Sequence, residues 1–169
     1  MDSSDVQDVQ MQFRGLGSGI EVDHVRQRHC VVLPFLLPAI LLALAGVANS
    51  VMDTLTFHYE ESVFKSLDDQ EFWDPSQSWT NKYKNNDPTQ GEKFFLSTTS
   101  LVFLTDAWHL FKWLMLSFIA LAAVALIDLF QRMKIVATWK QLVAIFALFK
   151  IVFGVSFELC WSYVWVNGK

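Results

Sequence analysis

Five ionisable residues in this chain could act together: Asp53, His58, Asp106, His109 and Glu158. Asp106 and His109 stand three apart, the spacing that brings two side chains onto one face of a helix, and His58 has the same relation to Glu61. Carboxylates and imidazoles drawn from different segments make an oxygen and nitrogen ligand set suited to a divalent transition metal (zinc, iron or manganese). The same groups can serve as general acids and bases, with Asp106, His109 and Glu158 as the expected catalytic residues and all five as the expected metal ligands. Two other uses compete. One is interhelical ion pairing, Lys150 with Asp53 or Glu158 and Lys112 with Glu158 or Asp106, and the other is a proton or ion pathway. No HExxH or GxSxG motif and no glycine-rich phosphate loop adds a further signal.

Long apolar segments must position these residues. The chain has 169 residues, 53% hydrophobic and 18% charged, with 13 Lys and Arg against 17 Asp and Glu. Its mean hydropathy of +0.30 is high for an ordinary soluble domain. Residues Cys30 to Met52 carry no charge, which exceeds the ~20 residues needed to cross a bilayer core. Pro34 and Pro38 suit a helix start there, where a missing N–H costs least. A helix running unbroken from Ser97 to Arg132 would measure about 54 Å, too long for a membrane, so residues 108–130 are the expected second span and 94–106 an approach to it. The third apolar segment runs from Leu142 to Val166, is interrupted by Lys150 and Glu158, and ends in aromatic WSYVW. The predicted fold class is an all-α integral membrane protein, a three-helix transmembrane bundle with four spans as the alternative. Its spans cover about 30–58, 108–130 and 141–166.

The remaining segments are polar. Residues 1–29 are predicted to be a polar tail, and 30–169 the transmembrane domain. The 62–96 loop is rich in turn formers yet holds Phe72, Trp73, Trp79 and Tyr83, which are expected to fold it back as a cap. Arg14, Arg26 and Arg28 precede the first span, and Arg132, Lys134 and Lys140 lie around the second connection, whereas residues 60–96 hold four lysines and eight acids. Positive-inside reasoning puts the N-terminus in the cytoplasm and the acidic loop outside, which brings all five candidates toward the outer face. Asp53 and His58 would be about 140° apart on a regular helix, so they converge only if the helix unwinds. Gly154, on a stripe with Lys150 and Glu158, is the expected point of close helix approach. Asp128 and Arg132 are spaced for an ion pair. The acidic balance excludes following a phosphate backbone, hence no nucleic-acid partner. Cys30 and Cys160 are too few for a disulfide framework.

FWDPSQSWTNKYK, followed by LSTTSLVFLTDAWHLFKW, resembles segments of small uncharacterised multi-span membrane proteins of bacteria and their phages. The resemblance covers about two-fifths of the chain, carries no activity, and implies a bacterial-type inner membrane. The expected function is a small membrane enzyme with a metal or acid–base site, acting on a lipid or lipid-linked substrate. The alternative is a non-catalytic subunit of a larger membrane complex. Expected partners are membrane lipids and either such a complex or further copies of the chain.

Overall fold

A computed structural model of the chain describes residues 35–134 and 136–166. The polar tail, Cys30 and Pro34 lie outside the described residues. The chain divides into two units at Pro38, and the second, Pro38–Lys169, holds the architecture that follows. Three helices are long and apolar enough to cross a membrane: α1 (Phe35–Phe57), α4 (Ala107–Met133) and the helical stretch Trp139–Trp165. That last stretch is α5 (Trp139–Cys160) continued by a π-helical turn, Trp161–Trp165. Two four-residue helices, α2 (Gln70–Trp73) and α3 (Pro75–Ser78), and short 3-10 turns make up the loop between α1 and α4. Among the described residues there is no strand, only two isolated bridges, Ser62 with Val166 and Tyr83 with Glu92.

Local chemistry sets the helix ends. Within α1, Ser50, Thr54 and Thr56 return their hydroxyls to the carbonyls of Val47, Ser50 and Met52, which satisfies polar groups in an apolar helix without a partner. α1 stops at Phe57 because His58 leaves helical geometry (φ −136°, ψ 23°). Asp106, in extended conformation, caps α4 by accepting the His109 backbone N–H. The long segment around Asp106 is therefore broken there, and the approach before it is made of turns and the 3-10 segment Val102–Leu104. Lys134 closes α4 in the left-handed region (φ 50°). The expected Asp128–Arg132 pair is present at 2.8 Å. Gln141 starts α5 by accepting the Thr138 N–H at 2.8 Å.

The helices pack unevenly. Of the apolar window of each span, 39% is buried in α1, 11% in α4 and none in α5, so α1 is the axis and the other two lie against it. The core sits at the loop end, where Val51, Leu55, Tyr59, Phe64 and Ala107 are buried together with Phe72, Trp73 and Trp165 packed around them. Phe64 stacks on Trp73 with centroids 5.1 Å apart, and Trp165 donates its indole N–H to Ser50 Oγ at 2.8 Å. The loop thus folds back as a cap through Phe72 and Trp73, whereas Trp79 is exposed. Close helix approach occurs at Gly46 and not at the expected Gly154. A Cβ at Gly46 would lie 2.4 Å from the Phe153 carbonyl oxygen, while one at Gly154 would meet nothing within 4 Å.

Carboxylates hold the cap's turns. Asp69, Asp74 and Asp87 accept the backbone N–H groups of Phe72, Ser76 and Thr89, each heading a short helical turn, with Pro75 and Pro88 at the first positions of two of them. The Thr89 N–H and hydroxyl and the Gln90 amide hold Asp87 below the usual carboxylate range, and the Thr98 hydroxyl, with the Leu96 N–H, does the same for Glu92. A depressed folded pKa contributes order that is fully present above the unfolded value, about pH 4, and is lost as pH falls through the folded value. The amide NMR signals of Thr89 and Leu96 are therefore expected to stay constant from pH 7 down to about pH 4 and to shift only below it. A midpoint at pH 5 or higher would contradict this assignment.

Candidate functional site

The best-organised chemical group lies at the start of α4. Asp106 is 3% exposed, and its carboxylate caps the helix and accepts from the Thr105 hydroxyl at 3.2 Å. Its two oxygens lie 2.9 and 2.7 Å from His109 Nδ1. This geometry points Nδ1 at the carboxylate, which suits an N–H donor there, and turns Nε2 away from it. The imidazole is one-third exposed, at 33%, and its ring meets the edge of Trp108 at 5.1 Å. Lys112 places its ammonium 4.9 Å from the Trp108 ring centre, so it takes neither of the expected pairings with Glu158 or Asp106. The site is also tied to the cap, because Asn81 donates its side-chain amide to the Thr105 carbonyl at 2.6 Å.

The other candidates have different surroundings. Asp53 is half-buried on α1. His58, just beyond the helix, sets its ring edge to face with Trp161 at 5.3 Å. Because α1 ends before it, the regular-helix relations expected of His58 with Asp53 and with Glu61 do not hold, and Glu60 pairs with Lys65. Glu158 is exposed on α5 and accepts the Ser162 hydroxyl at 2.6 Å. No hydrogen bond or ion pair among the described residues joins Asp106 or His109 to Asp53, His58 or Glu158. No group of three or more His, Cys, Asp or Glu side chains arranged to hold a metal ion occurs among the described residues. Among the described residues Lys150 has no carboxylate within 4.0 Å, and it lies over the Phe153 ring at 5.7 Å, so its expected pairing with Asp53 or Glu158 is not made. Cys160 is a free thiol.

Three features escaped the sequence reading. The close contact at Gly46 was signalled by small residues four apart, Gly46 and Ser50, a spacing typical of tight membrane-helix contacts. The Asn81 tether and the Trp108–Lys112 contact had no signal beyond residue type. Three long apolar helices in an all-helical chain, carrying an Asp–His pair at the loop end of one of them, suggest a multi-pass membrane protein. Comparison with protein-family models, curated proteins and solved structures finds no match to this chain.

Proposed function

We propose that the protein is a small multi-pass membrane enzyme in which His109, oriented by Asp106, acts as the acid–base group on a lipid or lipid-linked substrate. The observation that carries this reading is the buried carboxylate on Nδ1 with Nε2 left open at a partly exposed position. A buried carboxylate there fixes the tautomer and stabilises the imidazolium that forms when Nε2 takes a proton. The mean hydropathy of the chain and the apolar helices around the pair point to a substrate delivered from the bilayer. Glu158 is a further acid–base candidate, and a divalent metal would need ligands beyond the pair.

The reading places the N-terminus in the cytoplasm and the pair at the outer face of a bacterial-type inner membrane, from the basic residues around the connection end of the spans. Cysteines introduced at Ser76 and Thr89 should react with an impermeant maleimide added outside whole cells, and labelling only after lysis would reverse the orientation. The function itself is tested with the full chain reconstituted in vesicles containing a panel of ester-linked and phosphate-linked lipids. Mass spectrometry should detect a product that depends on His109.

A second reading, a non-catalytic subunit of a larger membrane complex, is favoured by one observation: none of the apolar window of α5 is buried within this chain. Under that reading the lipid panel gives no product. A photoreactive residue at Ile151, Val155 or Leu159, all exposed on α5, would then cross-link one defined protein in native membranes.

A further inference from the structure

Toward the connection end, α4 and α5 do not close on each other. Between them and α1 lies an open-sided cavity of about 370 Å³, lined by Leu42 of α1, by Ile119, Ala122 and Leu126 of α4, and by Phe146 and the exposed Lys150 of α5, with Lys150 the one charged residue among the described residues of its lining. Its volume falls within the ~300–1,000 Å³ of small-molecule sites. A helix about 10 Å across would fill it in roughly one turn, so the space suits a flexible chain better than a protein segment. Ala122 is 16 residues along α4 from Asp106, about 24 Å, so the cavity is separate from the Asp106–His109 pair.

The cation in its wall sets the ligand's chemistry. Lys150 lies 11 residues into the helical stretch that begins at Trp139, about 16 Å from its start, and its only described partner is the Phe153 ring. An ammonium at this depth is unfavourable unless an anion meets it, and within the described residues no carboxylate does. A neutral acyl chain would fill the apolar part and leave the charge alone. The phosphate of a phospholipid, tied to a headgroup at the surface, lies too far out for a lysine stem reaching ~6 Å. We infer that the cavity binds a long-chain fatty acid, with the aliphatic tail along Leu42, Ile119, Ala122 and Phe146 and the carboxylate on the Lys150 ammonium.

Oleate is the probe, with the full chain in nanodiscs of zwitterionic phosphatidylcholine. Saturable one-to-one binding is expected, seen by native mass spectrometry and by retention of radiolabelled oleate. Lys150→Met should weaken it at least ten-fold, Lys150→Arg should retain it within a few-fold, and Ala123→Phe, which fills the cavity from α4 while keeping the cation, should abolish it. Unchanged helical circular dichroism in each variant separates loss of the site from loss of the fold. Methyl oleate, which keeps the tail without the charge, should not compete. The inference is overturned by absence of saturable binding, by Lys150→Met binding as the unaltered chain does, or by equal competition from methyl oleate. It is also overturned if phosphatidylglycerol displaces oleate at equal concentration, which marks a phospholipid site. Cross-linking of a second copy through a photoreactive residue at Ile119 overturns it too, marking a helix interface.

Discussion

His109→Gln is expected to lower turnover of the lipid or lipid-linked substrate by about 10²–10⁴-fold, the share that a positioned general acid–base group contributes. Glutamine retains a polar group of similar reach, so α4 should still form, but its amide cannot take up and return a proton. Asp106→Asn separates positioning from capping. Asparagine caps helices about as well as aspartate, so the start of α4 survives, whereas the negative charge beside Nδ1 is gone. Turnover should then fall about 10²-fold or more, because the imidazolium loses its counter-charge and the tautomer is no longer fixed. The measurement is product formation by mass spectrometry, with circular dichroism reporting retained helix. Full activity in His109→Gln would remove the acid–base reading, and the subunit reading would then be the one to pursue.

Gly46→Leu is expected to separate α1 from α5 and to be the most destabilising single change in the helical body. At Gly46 the first added carbon already lies 2.2 Å from Ser156 Oγ and 2.4 Å from the Phe153 carbonyl oxygen. The hydroxyl could rotate away, but the carbonyl belongs to the α5 backbone and moves only with the helix. Overpacking of this kind costs about 1–3 kcal/mol, so Gly46→Ala should fall within that range and Gly46→Leu at or beyond its upper end. Trp165, whose N–H is held by Ser50 one turn along α1, should report the separation as a change in fluorescence. Gly154→Ala is the internal control. With open space around it and a better helix former in place, it should be neutral or stabilising by up to ~1 kcal/mol. Thermal denaturation in mild detergent compares the three variants, and a Gly46→Ala protein that melts like the unaltered chain would mean the helices do not approach there.

Composition and local spacing determine much of this protein without any tertiary information. Long, predominantly apolar runs specify three long helices because a hydrocarbon-length stretch can satisfy its backbone only within itself. The pairing of Asp128 with Arg132 was equally legible, since residues four apart on a helix meet whatever surrounds them, whereas Asp106 meets His109 as the extended N-cap of α4 and not from the same helix face. The Asp-Pro turns of the loop belong to the same class, set by the φ of proline and the reach of a short carboxylate. Tertiary structure decided everything that depends on rotation about a helix axis or on where a helix ends. Sequence depth placed Asp53, His58, Asp106, His109 and Glu158 toward one end of the bundle, but depth does not fix azimuth. α1 stops at Phe57, His58 turns to Trp161, and Glu158 bonds within its own helix to Ser162. The same limit moved the helix contact from Gly154 to Gly46 and left Lys150 in the wall of an apolar cavity instead of beside an acid. Periodicity names the residues that share a face, but only packing against a second helix decides what that face meets.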